Sequence, residues 1–492
     1  MHRTYGHWID GAWQPARNST IARHNPANGI RVAEFAAGDK HDIDAAVAAA
    51  GRCFHERRWA EWPASERILL LNRWADLISA KAERLARIES EESGKPIRYA
   101  RAEVAWSVEM IRFAAALAAT FHGEAFTHLG SDRLGLVSHE PIGVVGMIVP
   151  WNFPLVCLFQ KLPFALAAGC VAVVKPSEMT SGTALEVAAL ADEAGFPPGA
   201  IGVVTGTGAA AGEPLVEHPD VAMISFTGST RVGKQIARQV GARVGRVALE
   251  LGGKAANIVF ADADLEAAAD GVLVGAVLNQ GEECAAGPRL LVQADVHDAF
   301  LARLSAGARK IRVGDPLDER TDVGALISQA HLDRVLGYID AGKTEGARLL
   351  CGGTRLAGSG YESGFFVGTT IFADVKPSMR VFREEIFGPV LTVTPFRDAD
   401  EAVALANDTS YGLANGLWTR DVDKVHQVSR RLRSGTVYVN TYLETALQMP
   451  FGGYQESGIG RELGIEALRE FTATKSVFLK MGPRTPTYRD GP

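Results

Sequence analysis

Between residues 143 and 240 the chain alternates short apolar runs with longer segments of helical spacing. The runs 143–149 (GVVGMIV), 170–174 (CVAVV), 201–204 and 222–226 read as strands buried on both faces. Residues 183–194 read as a helix, stopped by Gly195 and then Pro197-Pro198. A second helix runs from Gly228-Ser229-Thr230 to about Val240. Strand, crossover helix, strand predicts a parallel sheet covered on both faces, and such sheets bind ligands at the carboxyl ends of their strands. A second alternating block follows, with strands at 256–260, 289–292, 390–394 and 436–440 and helices at 265–278 and 300–310. The break between the two units falls near Gly252-Gly253. Residues 120–139 alternate loosely and read as an edge ribbon, and 476–492 begin strand-like before turning polar and Pro-rich. Neither segment is long enough to bury itself, so both are expected to pair with another subunit. Ala-rich helical stretches recur, as at 43–51, but no repeat of fixed period accompanies them.

Composition adds bounds. A chain of 492 residues holds about two to four structural units. Hydrophobic residues make up 47%, enough for a large core, and a net charge of −6 gives no electrostatic reason to expect a nucleic-acid or anionic-membrane partner. The five cysteines are few, odd in number and dispersed, which argues against a disulfide framework or a zinc knuckle. No metal is expected. The N-terminal stretch MHRTYGHWIDGAWQP lacks the apolar run of a signal peptide, and Gln160, Lys161 and Pro163 break the longest apolar candidate for a membrane span. A cytoplasmic protein is the expectation.

Several residues then suggest chemistry. Asn152 in PWNFP is fixed between prolines, either as a turn amide or as a donor to a developing oxyanion. The glycine turns 206–208 and 227–230 lie between strand and helix, where a phosphate can approach a helix N-terminus; an ordinary turn reads equally well. Lys175 and Glu178 end a strand; an acid there can accept ribose hydroxyls and would repel a 2′-phosphate. Glu250, at the end of an apolar strand, is either a solvated terminal acid or a general base of raised pKa. Glu385 by itself reads as a loop acid. Cys157 and Cys170 sit in apolar runs as core fillers, whereas Cys284 follows a polar turn.

Taken in order, PWNFP, KPSE, FTGSTRVGK, LELGGK, NQGEEC, EEIFGPV and PFGGYQESGIGRE resemble the motifs of the aldehyde dehydrogenase superfamily, from about Trp8 to about Ser476. The resemblance implies an α/β fold with a Rossmann-like cofactor domain (1–119 and 141–251), a second α/β catalytic domain (252–453) and a small β oligomerisation element (120–140 and 475–492). Residues 454–474 return to the cofactor domain. It implies NAD-dependent oxidation of an aldehyde to a carboxylic acid. Cys284 is the implied nucleophile, Asn152 with the Cys284 N–H the oxyanion hole, and Glu250 the base that activates water. Lys161 and Glu462 are the implied proton carriers. Val149, Pro150, Trp151, Lys175, Glu178, Gly208, Phe226, Gly228, Ser229, Val232, Leu251, Glu385 and Phe387 would hold NAD. Homodimers or homotetramers are implied too.

Two departures stand out. The family usually has Gln where this chain has Glu282, and Glu283 occupies a position that borders the substrate mouth. Both acids, if ionised and close, would raise the Cys284 pKa. Alternatively, Glu282 points away and pairs with an Arg or Lys. The tunnel is expected to draw on Phe153, Val156, Cys157, Gln160, Glu283, Ala285, Leu443, Thr445 and Phe451. Gln160 stands where relatives often carry Trp, which argues against a full aromatic cage. Glu283 and Glu444 are possible acids at the mouth. The substrate is then an aminoaldehyde or a neutral aliphatic or aromatic aldehyde. A CoA-acylating semialdehyde dehydrogenase and a non-catalytic paralogue are the rival readings.

Overall fold

The computed structural model describes residues 2–56, 59–483 and 488. Two parallel sheets dominate. In the first, five parallel strands lie in the order Arg246–Glu250, Met223–Thr227, Val144–Ile148, Val171–Lys175 and Ile201–Val203, with short antiparallel strands at both edges. The chain winds outward from Val144–Ile148, then returns to its other side. Val144–Ile148 and Met223–Thr227 therefore flank a topological switch point, where this architecture opens a crevice. The parallel pairings bury these strands on both faces, which is why their sequences are almost continuously apolar.

Helix boundaries follow local chemistry. The helix Gly182–Ala194 ends at Gly195, whose φ of 99° is the left-handed conformation glycine adopts at little cost. Ser229 caps the helix Thr230–Ala242, its Oγ accepting the Val232 N–H. Asp264 does the same for Leu265–Val277 through Ala267.

The second sheet carries six parallel strands, in the order Thr370–Ala373, Val390–Phe396, Arg289–Gln293, Ala256–Val259, Ala414–Trp418 and Thr436–Val439. Arg348–Cys351 pairs antiparallel at one edge. One apolar core runs from Tyr5 to Leu251 and takes in Leu463–Phe471; the cores of the second sheet are drawn from Ala255 to Tyr442. The long helix Ile97–Thr120 packs on Ala64–Ala80 and Ala82–Ser93.

The 120–139 ribbon forms strands Glu124–Phe126 and Arg133–Pro141, and the latter pairs with Thr472–Lys480. Thr472–Lys480 is an edge strand whose outer residues, including Phe478, are exposed. The expectation for 475–492 extends past it into residues 484–487 and 489–492, which lie outside the described residues. Among the described residues, no helix is long and apolar enough to cross a membrane.

Candidate active site

Cys284 lies in the loop between the helix Leu265–Val277 and the strand Arg289–Gln293. It sits at the amino ends of its own sheet's strands, not the carboxyl ends. The carboxyl-end rule holds for the first sheet only; the second presents its opposite edge to the same crevice.

The approach to Cys284 is backbone-strained. Asn279, Gln280 and Gly281 have φ of 50°, 61° and 70°. A Cβ at Gly281 would collide with the Gly388 carbonyl, so glycine is required there. The two left-handed side chains are held: Asn279 Nδ2 donates to the Asn152 and Glu282 carbonyls, at 3.0 and 3.1 Å, and Gln280 Oε1 accepts the Gly324 N–H. Asn152 is buried and donates an amide hydrogen to the Glu282 carbonyl at 2.9 Å. That leaves its second N–H, so the PWNFP turn and the cysteine loop are laced together from both sides.

The two neighbouring acids diverge. Glu282 is buried; its Oε1 accepts the Ile327 N–H at 2.9 Å, and its other oxygen faces the Gln280 amide. The expected Arg or Lys partner is replaced by a backbone N–H and an amide, with His331 Nε2 at 3.6 Å. Burial pushes this carboxyl up to about 8. Glu283 faces the thiol: Cys284 Sγ donates to Oε1 at 3.4 Å, and Oε1 also accepts the Ala285 N–H. Burial first, then the Glu283 charge, raises the Cys284 pKa well above its ordinary value. The shift expected from two acids thus arises from Glu283, and mainly from burial. Although its sequence neighbours are polar, Cys284 packs in space against the apolar core of the second sheet.

Glu250 ends its strand buried, with Oε2 unpartnered. Burial raises its pKa to about 8, opposed by Lys161 and Arg461. A Cβ at Gly452 would press on Glu250 Oε1, so the glycine leaves the carboxylate its space. The backbone of Gly253, three residues on, lies against the Cys284 carbonyl. Lys161 is buried, donates to Thr227 Oγ1 at 2.7 Å and pairs with Glu462. Burial lowers its pKa.

A cavity of about 400 Å³ opens on Cys284. Phe153, Val156, Cys157, Gln160, Glu283, Ala285, Leu443, Thr445 and Phe451 all line it. Glu444 does not: it is exposed and lines a separate groove with Asp270 and Trp418. The sequence reading missed a whole wall. Tyr99, Ala102, Glu103 and Trp106 come from the helix Ile97–Thr120, and Tyr438 from the strand Thr436–Val439. Trp106 supplies a ring that position 160 lacks, so the cavity is more apolar and aromatic than expected. Glu103 is paired with the fully buried Lys95, whose Nζ lies 4.5 Å from the Phe153 ring centroid. The spacing i, i+3, i+4, i+7 from Tyr99 to Trp106 puts these four on one helix face, half-buried at Tyr99 and Trp106 and exposed at Ala102, which by itself signals no cavity.

The cofactor candidates surround the switch-point crevice. Lys175 is buried, 3.4 Å from Glu178 Oε2, and burial lowers its pKa. Gly208 opens a single wide turn, Gly208–Gly212, beside Lys175. The Gly228 N–H donates to the Glu250 carbonyl, and its missing Cβ makes room for the Phe226 ring. Gly233 likewise gives way to Leu251. Glu385 Oε1 accepts the Gly253 N–H at 3.0 Å, and a Cβ at Gly252 would collide with its carboxylate. Phe387, at φ 64°, lies edge-on to Trp151 with centroids 5.4 Å apart. His331, which sequence reasoning missed, locks this corner: its Nε2 lies 2.6 Å from the Phe387 carbonyl, and its ring packs on Trp151. Ser457 was missed too; it bridges Gly252 and Gly412. Val149 and Pro150 carry the chain from the first sheet to Trp151. These groups fit a dinucleotide: a capped helix N-terminus for phosphate, an acid beside a lysine for one ribose and a held carboxylate for the other.

Comparison with known proteins identifies the family. The aldehyde dehydrogenase family model matches residues 13–477. Aminoacetaldehyde dehydrogenase of Pseudomonas aeruginosa is 44% identical, over 96% of this chain and 95% of that protein. An NADP/NAD-dependent aldehyde dehydrogenase of Escherichia coli is also 44% identical, with the same coverage of both chains. The crystal structure of NAD-dependent aldehyde dehydrogenase from Sinorhizobium meliloti superposes with a TM-score of 0.97 at 45% identity, covering 99% of this chain and 96% of that one. Betaine aldehyde dehydrogenase of Staphylococcus aureus, in complex with NAD+, gives 0.97 at 37% identity, covering 100% and 98%. With one family model spanning nearly the whole chain and relatives this similar, the protein belongs to the aldehyde dehydrogenase family.

Proposed function

We propose that the protein oxidises a neutral aliphatic or aromatic aldehyde to its carboxylic acid, with Cys284 as nucleophile and NAD as hydride acceptor. The observation that carries this reading is the position of Cys284, at the wall of a cavity that also collects Phe153 and Phe451 from two distant motifs. The Cys284 thiolate adds to the carbonyl carbon, forming a thiohemiacetal. The free Asn152 N–H and the Cys284 backbone N–H receive the developing alkoxide. Lys175, Glu178, Glu385 and the N-terminus of Thr230–Ala242 would hold the cofactor, whose nicotinamide supplies the hydride acceptor. Glu250 then takes a proton from water, which attacks the thioester. Its burial and unpartnered oxygen suit that task, because the carboxyl is pushed up to about 8. The Lys161–Glu462 pair carries that proton away.

The neutral substrate follows from the acids. Glu103 is committed to Lys95, Glu283 to Cys284 and Ala285, and Glu444 lies in another groove. What remains of the wall is mostly apolar and aromatic. The name of the Pseudomonas relative favours a second reading, an aminoaldehyde. NADH formation with length-matched aldehydes carrying neutral, positive or negative tails separates the two, with Cys284→Ala as control. Preference for neutral tails supports the first reading; preference for ammonium tails replaces it with the second. Acyl-CoA formation from aldehyde, NAD and CoA would instead revive the CoA-acylating rival.

The exposed edge of Thr472–Lys480 supports a homodimer or homotetramer, which sedimentation would size. The five cysteines, few and dispersed, support a reducing, cytoplasmic setting.

A further inference from the structure

Glu283 has no place in the reaction as written so far, and it occupies a distinctive position. The Cys284 thiol must lose a proton before it attacks. Among the described residues, Glu283 Oε1 is the hydrogen-bond acceptor of that thiol, at 3.4 Å. Glu250, the carboxylate assigned to water, is not a partner of Sγ among the described residues, and its Oε2 has no partner. Glu283 is also preset: the Ala285 N–H holds Oε1 at 3.0 Å, so the oxygen facing the sulfur keeps its place as the proton moves. Its side chain lines the substrate cavity beside Cys284.

We infer that Glu283 is a catalytic residue, which takes the Cys284 thiol proton during attack and returns it when the acyl group leaves. The inference rests on the reading of Cys284 as nucleophile. In the first step the S–H bond breaks, an O–H bond forms on Glu283, and the sulfur pair makes the C–S bond while the carbonyl π pair moves to oxygen. Hydride leaves to the oxidised nicotinamide, the carbonyl reforms, and a thioester remains. Water gives its proton to Glu250 and its oxygen to the acyl carbon. The C–S bond breaks, and the departing thiolate takes back the proton held on Glu283. Two carboxylates thus divide the labour, one serving sulfur and one serving water.

The surroundings suit a resident proton. Lys95 and Glu103 face Glu283 from residues 95–103, Cys157 from the helix Pro154–Phe159, Tyr438 from the cavity wall and Tyr442 from the core behind Ala285. Burial raises the Glu283 pKa, opposed by the Ala285 N–H, the thiol and Lys95. Burial likewise raises the Cys284 thiol, so carboxylate and thiol both hold a proton more tightly than they would in water.

An electrostatic role would have the opposite sign. If Glu283 only burdened the thiol with charge, removing the charge would ease ionisation and speed attack. The test is the rate of the first NADH burst, measured from pH 6 to pH 9 with saturating NAD+, alongside iodoacetamide alkylation of Cys284. Glu283→Gln keeps an oxygen for the Ala285 N–H, and cofactor-induced fluorescence quenching reports that the variant is folded. We expect it to slow the burst by about 10²-fold or more and to slow alkylation as well, with Glu283→Asp recovering part of both. Equal or faster rates in Glu283→Gln overturn the inference. If that variant fails to bind NAD+, Glu283→Asp decides alone: a slower burst across the pH range supports the inference and an unchanged or faster one overturns it. A burst that survives Cys284→Ala would instead sink the nucleophile reading itself.

Discussion

The cofactor crevice and the substrate cavity meet at Cys284, yet they are built in different ways. Most of the crevice is made of consecutive pieces, a strand end, a glycine turn and a helix start repeated along the first sheet, with one corner added by Glu385, Phe387 and His331. The cavity is assembled from separated ones, with walls from Ile97–Thr120, the PWNFP turn, the cysteine loop and residues 438–463. A local motif carries its geometry with it, whereas a cavity wall acquires its role only when distant elements pack. Variants on the two sides are therefore expected to separate cleanly in their kinetics.

The largest effect is expected where the two regions join. Glu250→Gln should lower steady-state turnover by roughly 10²–10⁴-fold while a first equivalent of NADH still forms, as stopped-flow absorbance would record. In the wild type, turnover limited by that step should rise with pH and level off above about 8, because the active form of Glu250 is the carboxylate and its pKa is held at about 8. A pH profile without that limb would remove Glu250 from the role.

On the cofactor side, Glu178→Ala should raise the KM for NAD about tenfold, the value of roughly one charge-assisted hydrogen bond to a ribose hydroxyl in a partly exposed site. The aldehyde KM should stay put. On the cavity side, Trp106→Ala should lower kcat/KM for small aldehydes several-fold, of the order expected for lost apolar contact, and favour bulkier ones, with the NAD KM unchanged. Cross-talk between these two variants would contradict the division.

The smallest effect concerns stability. Glu282 is pushed from 4.5 to about 8 in the folded chain. A group raised on folding contributes stability below its unfolded pKa and loses it as pH rises through the folded value, here across the interval from 4.5 to about 8. Glu282→Gln keeps an acceptor for the Ile327 N–H without that charge. Its melting temperature should fall less between pH 6 and pH 9 than the wild type's, by about 1–2 °C.

The same division accounts for what could be read from the chain. Strand ends and their turns were legible because each strand, cap and glycine declares itself within a few residues: Gly195 stops a helix and Ser229 starts one. The cysteine loop was legible as a motif but not as geometry. Nothing in GEEC says that Glu282 turns to Ile327 while Glu283 turns to sulfur; the left-handed run Asn279–Gly281 decides that. Tyr99 and Trp106 were illegible, since a half-buried helix face has the same spacing whether it borders solvent or a cavity. His331 lies some fifty residues from Phe387, and only the fold brings them together. Glu444 misled because nearness to Leu443 and Thr445 in sequence does not bring its side chain into the Cys284 cavity.

The most direct test of the covalent account is to trap the acyl enzyme. Glu250→Gln would be mixed with NAD+ and a neutral aldehyde, quenched in acid, digested and weighed by mass spectrometry. The account predicts one acyl group, on the peptide that contains Cys284 and absent when NAD+ is omitted. An unmodified Cys284 peptide after a full equivalent of NADH, or acylation at another residue, would contradict it.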